Sequence, residues 1–244
     1  MKNVFDINVK LINEKDVKNF FKNYGNVACV CYDTDTKFKE NVGKHCFNSE
    51  HYSGSRGFYF IFEIDCPRYT ADQLMRQEVG VFKNCQSQRY VQEKNIEFYI
   101  PHIVEKDEQL LALYKDYEMQ INYLLNIIKA RLNKKGYSNE QLNDIIRTLY
   151  PIGCFTKLRI GFTLEALINL CNKRLCLRAD FPIRIVAKEI KNQVVKILPE
   201  LESVLVPKCE RYLYCTEGKS SCGKYPSKND LLNILNEKEF KNGK

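Results

Sequence analysis

The chain lacks any run of eighteen apolar residues and any basic-then-apolar leader. Neither a membrane-spanning helix nor a secretory signal is therefore expected, and the expected location is cytoplasmic. It has only three histidines, His45, His51 and His102, which argues against a histidine-rich metal site and a histidine-centred catalytic triad. No G-x-G-x-x-G follows a strand pattern and no G-x-x-x-x-G-K-[ST] occurs, so any nucleotide site has to be built from side chains and not from a glycine-rich cradle. Cysteine, by contrast, is plentiful. Eleven in 244 residues, an odd number with no leader, point to reduced thiols and not to a disulfide framework. Cys209, Cys215 and Cys222 stand six and seven residues apart without a C-x-x-C pair or a clear fourth ligand, so no metal is expected there.

With 44% hydrophobic and 28% charged residues, the chain can bury one large core or two small ones. The expectation is one domain over residues 1–225 and a tail over 226–244 with a short helix around Leu231 to Leu235. The net charge of +8 suits nucleic acid, a small anion or simple solubility. Its lysines are scattered singly or in pairs, as at Lys134-Lys135, Lys188, Lys191 and Lys241, which disfavours a nucleic-acid surface.

Strand-like alternation occurs at Phe5, Ile7, Val9 and Leu11, at Phe58 to Ile64, and at Phe155 to Thr163. A helix is expected after the first, capped by Asn13 and stopped by Gly25. Leu110, Leu113, Tyr117, Ile121, Leu124, Ile128 and Leu132 recur at helical spacing, predicting one long amphipathic helix from about residue 105 to 132. A capping box at Ser138 opens another helix that ends by Pro151, and two more cover about 164–177 and 181–198. Strands and helices do not alternate regularly, so the expected class is α+β with a mainly antiparallel sheet flanked by helices.

Arginines carry the candidate chemistry. Leu167, Cys171, Arg174, Leu175 and Arg178 share one helical stripe, placing Arg174 where an apolar residue is expected. A guanidinium there needs a partner, either a carboxylate of the protein or an oxygen of a ligand. Arg76, Arg89 and Arg147 fall near element ends, where forked donors grip phosphate or carboxylate. The stretch Asn84 to Val91, NCQSQRYV, packs hydrogen-bonding groups together with no hydrophobic period. Gln73 has a second reading, because T-A-D-Q from Thr70 also matches a capping box.

D-Q-L-M-R (Asp72 to Arg76), S-Q-R-Y-V (Ser87 to Val91), R-T-L-Y-P (Arg147 to Pro151) and A-L-I-N-L-C-N-K-R-L-C (Ala166 to Cys176), in that order, resemble the flavin-dependent thymidylate synthases. The tail T-E-G-K-S-S-C-G-K, Thr216 to Lys224, is similar to the tails of some members. The resemblance covers roughly residues 5–225. It implies a homotetramer with FAD at subunit interfaces, NADPH as reductant, and methylenetetrahydrofolate as carbon donor for turning dUMP into dTMP, with no cysteine nucleophile. By residue, it implies that Gln73, Arg76, Ser87, Gln88, Arg89 and Arg147 bind dUMP, and that Arg174 polarises the uracil ring as the catalytic residue. His51, Ser53, Arg76, Gln77, Glu78 and Asn169 would then contact FAD.

The sequence departs from the family's pattern at several places. Gln77 and Glu78 replace a histidine and an arginine of the signature, and Arg56-Gly57 replaces a glutamate-histidine pair. Thr163, Leu164 and Glu165 stand for an asparagine, a small residue and an arginine, and Ala179 to Arg184 lacks the usual glutamine, tryptophan and glutamate. Two other readings are a nucleotide-binding homologue that has lost flavin chemistry and a basic nucleic-acid-binding protein.

Overall fold

The computed structural model describes residues 1–33, 36–91 and 96–242. In chain order the elements are β1 (Asn8–Leu11), α1 (Glu14–Val17), α2 (Phe20–Tyr32), α3 (Lys39–Asn48), β2 (Phe60–Pro67), α4 (Arg68–Met75), β3 (Val81–Cys85), α5 (His102–Glu105), α6 (Glu108–Lys134), α7 (Asn139–Ile146), β4 (Phe155–Phe162), α8 (Leu164–Arg174), α9 (Phe181–Val195), α10 (Lys208–Tyr212) and α11 (Lys228–Asn242). Short 3-10 turns include Val4–Asp6, Tyr52–Ser55 and Arg147–Leu149. The four strands form one mainly antiparallel sheet in the order β1-β2-β4-β3, so the class is α+β. Among the described residues, no helix is long and apolar enough to cross a membrane.

The chain divides into two compact units. One comprises residues 1–10, 63–78 and 82–160; the other comprises 11–62, 79–81 and 161–244.

In the first unit, α6 and α7 close on a core of Ile96, Phe98, Leu125, Leu142, Ile146 and Cys154, with Ile121, Ile128 and Leu132 packed against it. The predicted long helix is present, but Leu125, not the predicted Leu124, is its buried residue. Ser138 caps α7 as expected: its Oγ accepts from Gln141 N at 3.3 Å while Gln141 Oε1 accepts from Ser138 N at 3.0 Å. The capping box expected at Thr70 does not form. Helix α4 begins three residues earlier because carbonyls outside the helix take its first amides, Arg68 N to Cys154 O at 2.7 Å and Tyr69 N to Ile152 O at 3.1 Å. Thr70 lies inside the helix, fully buried.

In the second unit, Phe20, Phe21, Tyr24, Phe58 and Phe60 form an aromatic cluster with ring centroids between 5.1 and 5.7 Å apart. Gly25 does not stop a helix; α2 runs through it to Tyr32. It is instead the crossing point with α3, where a Cβ would meet Lys39 O at 1.6 Å, and Gly43 answers it, since a Cβ there would meet Phe21 O at 2.1 Å. Asn13 does not cap by its side chain; its amide spans Tyr59 O at 2.8 Å and Ile61 N at 3.0 Å. Buried faces of α8 and α9, with Leu164, Leu167, Leu170, Ile183, Val186 and Ile190, complete this core. The strand expected from Phe5 begins only at Asn8, because the box between Asn3 and Asp6 winds Val4–Asp6 into a turn and leaves Phe5 89% exposed.

Candidate functional site

The expected site residues divide between the units. Gln73, Arg76, Gln77, Glu78, Ser87, Gln88, Arg89 and Arg147 belong to the first; His51, Ser53, Asn169 and Arg174 belong to the second.

In the first unit, α7 gathers two arginines that are far apart in sequence. Arg89 Nε lies 3.4 Å from Asp144 Oδ2 and its Nη2 lies 3.6 Å from Glu140 Oε2. Arg147 Nη2 lies 3.0 Å from Asp144 Oδ1, within ion-pair distance but off hydrogen-bond alignment. Charge holds these guanidiniums side by side without consuming all their forked donors, which suits an oxyanion. The loop that carries Arg89 is fixed through its backbone. Asn143, buried on α7, donates to Arg89 O at 2.8 Å, and Ser87 Oγ accepts from Arg89 N at 3.3 Å. Gln88 faces a polar cavity of about 290 Å³ beside Gln86, Lys2 and Lys157. Asp144 and Asn143, which hold candidate site residues in place, were not singled out from the sequence; the only signal was the three-residue spacing of Asp144 from Arg147 on one helix.

Gln73 is half-buried on α4, and Arg76 is exposed at its C-cap. Lys83, on β3, closes that helix end. Its ammonium donates to the carbonyls of Met75 and Gln77, the latter at 2.8 Å, and pairs with Glu78 Oε1 at 2.9 Å. A cation at a helix C-terminus is favourable. It also balances Glu78, the carboxylate that stands where the resemblance has an arginine.

In the second unit, His51 and Ser53 are exposed around the turn Tyr52–Ser55, which packs on α8, and Asn169 is exposed on α8. Arg56 follows the turn and Glu165 lies in the first turn of α8. Their side chains form a forked pair, Nε to Oε2 at 2.8 Å and Nη2 to Oε1 at 3.2 Å. The hydrogen bond from Arg56 holds the Glu165 carboxyl below the ordinary glutamate value, against a smaller opposing effect of burial. Two departures from the family pattern, an arginine where a glutamate is usual and a glutamate where an arginine is usual, thus meet in one ion pair. Thr163 caps α8 and donates its amide to Gly80 O at 2.8 Å. Gly80, at φ +70°, passes so close that a Cβ would meet Thr163 Oγ1 at 2.3 Å.

Arg174 is the last residue of α8, half-buried with its Nε shielded from solvent, beyond the fully buried Leu167 and Cys171. It lines a cavity of about 590 Å³. The Cys171 thiol is pushed up to about 12 by burial, which keeps it protonated and unreactive. Among the described residues, no group of three or more histidine, cysteine, aspartate or glutamate side chains is arranged to hold a metal ion.

The family model described as Thymidylate synthase complementing protein matches residues 11–200. A flavin-dependent thymidylate synthase of Nitratidesulfovibrio vulgaris is 29% identical over 185 residues, 75% of each chain. One of Pyrococcus abyssi is 30% identical over 168 residues, 65% of each chain. Among solved structures, a UMP/dUMP methylase of Streptomyces cacaoi bound with 5-Br dUMP superposes with a TM-score of 0.58 at 16% identity, covering 81% of this chain and 93% of its own. A match across most of the chain, on a fold shared with that structure, shows that the chain belongs to the Thymidylate synthase complementing protein family, as the motifs from Asp72 to Cys176 imply.

Proposed function

We propose that the protein is a flavin-dependent thymidylate synthase that converts dUMP to dTMP, with methylenetetrahydrofolate as carbon donor and NADPH as reductant. The observation that carries this reading is the convergence of Arg89 and Arg147 on Asp144. Two forked cations next to the Ser87 hydroxyl and the Gln88 amide make a phosphate and sugar grip for the nucleotide, in which the phosphate competes with the carboxylates for the same donors. Gln73 and Arg76 extend that grip. Arg174 supplies a cation for the uracil ring: held partly dry at the end of α8, it stabilises negative charge developing on the base more than water does, making carbon 5 nucleophilic.

The exposed imidazole, hydroxyl and amide of His51, Ser53 and Asn169 are hydrogen-bonding groups that fit FAD, and Arg76 and Gln77 add to them. Glu78 is compatible with an anionic cofactor because Lys83 neutralises it. Bound flavin would supply the hydride; the chain's residues bind, orient and polarise. The assembly we propose is a homotetramer of the domain over residues 1–225, with active sites shared between copies, acting in the cytoplasm. A nucleotide-binding homologue without flavin chemistry is the second reading, favoured by the loss of the signature's histidine and arginine at Gln77 and Glu78.

The test is an absorbance spectrum of the purified protein with added FAD, followed by NADPH oxidation with and without dUMP. A flavin band whose reduction accelerates with dUMP is expected, and Arg174→Ala should then lower kcat by about 10²–10³-fold while flavin stays bound. A colourless protein that still binds dUMP would establish the second reading instead.

A further inference from the structure

The sequence places lysines on α9 at 188 and 191, three apart and therefore on one helical face. In the fold that face forms one wall of the cavity that Arg174 lines. Lys173 and Arg178, from the end of α8 and the loop after it, form a second wall. Lys208 and Lys224, from the segment that closes the second unit, form a third. Against these seven cations stand three carboxylates, Glu202, Glu210 and Glu217. Glu210 is taken by Lys224 at 3.0 Å, and the cations of the lining outnumber its carboxylates. Like charges gathered around a concave wall repel one another, and the low-dielectric lining focuses their field on whatever enters.

Asn172, 8% exposed near the end of α8, lines the same cavity and adds a polar side chain to its basic walls.

We infer that this cavity is an anion-binding site for a small molecule with two or more adjacent anionic groups, phosphates or carboxylates. Its volume of about 590 Å³ is that of a small-molecule pocket. A concave basic pocket of this volume favours a short polyanion over a nucleic-acid strand, which needs a long groove lined with stacking rings. The inference does not depend on thymidylate synthesis. Arg174 is common to both sites, but Lys188 and Lys191 have no part in the proposed reaction, so failure here and failure there are distinguishable.

The test is titration calorimetry of the full chain at fixed ionic strength, with inorganic pyrophosphate and with triglutamate as probes, on the wild type and on Lys188→Gln/Lys191→Gln. At least one probe should bind the wild type, and the double variant should lose about tenfold or more in affinity while its circular dichroism and its dUMP affinity stay unchanged. Lys191→Arg, which keeps the charge, should retain binding. Tighter binding of pyrophosphate would assign the site to a phosphate group, and tighter binding of triglutamate to a chain of carboxylates. Equal affinity of wild type and double variant for the probes, no binding of either probe, or binding only of single-stranded oligonucleotide would overturn the inference.

Discussion

Arg56 and Glu165 show how two departures from a family pattern can meet in one interaction. Each alone is a charge of the wrong sign; together they form a forked pair that ties the turn carrying Ser53 to the helix carrying Asn169 and Arg174. Reversing one partner puts like charges face to face, and reversing both restores a pair of opposite charges, with the residue types that the resemblance gives at the two places. Arg56→Glu and Glu165→Arg should each lower Tm by roughly a few degrees and weaken FAD, whereas the double variant should recover most of both, a coupling read directly by a double-mutant cycle. A pair that only decorates the surface would show no such recovery in flavin affinity. The pH dependence has a definite sign. Because the Glu165 carboxyl binds its proton more weakly in the folded chain, the pair's contribution is present above the ordinary glutamate value. It fades as the pH falls through the lowered folded value, and Glu165→Gln should remove that acid-side part of the stability profile.

At the scale of elements, the crossing of α2 and α3 is set by Gly25 and Gly43. Backbone atoms of the partner helix occupy the space where a side chain would begin, so nothing flexible can yield. Gly25→Ala should therefore destabilise by at least the overpacking cost of about 1–3 kcal/mol, lowering Tm by about 2–4 °C per kcal/mol in a chain of this size, as scanning calorimetry would measure. The same glycine shows what the sequence could and could not convey. The capping box at Ser138 and the period of the long helix α6 were legible because their causes lie within one turn or one face. Gly25 read as a stop because its reason is a contact with residues 39 and 43. The start of α4 was misread at Thr70 for the same kind of reason, since the carbonyls that receive its first amides come from residues 152 and 154. Strand β3, with Lys83 and Asn84 at its centre, carried no clear alternation and was missed. In the site, order along the chain exposed the arginines through the resemblance. The carboxylate that gathers two of them, Asp144, and the lysine that balances Glu78 became visible only in the fold.

For the whole molecule, the question is what covers α6. Its 27 residues span about 40 Å at the rise of an α-helix, yet among the described residues only Leu125 is fully buried on it. Leu110, Leu113 and Leu124 remain exposed on the stripe that the sequence marks as apolar. Beside them an apolar cavity of about 580 Å³ opens between Leu113, Tyr117, Phe98, Tyr99 and Ile152. Exposed apolar side chains grouped in this way suit a recognition surface, and the proposed tetramer supplies a second copy as its occupant. Light scattering should give a native mass of four chains. Leu113→Glu with Leu124→Glu places two carboxylates on the stripe without touching Leu125, so the variant should keep its helical circular dichroism yet shift to smaller species. If active sites are shared between copies, FAD affinity should fall in step with assembly. A wild-type monomer that binds FAD and dUMP fully would refute the shared site, because one chain would then hold every contact the reaction needs.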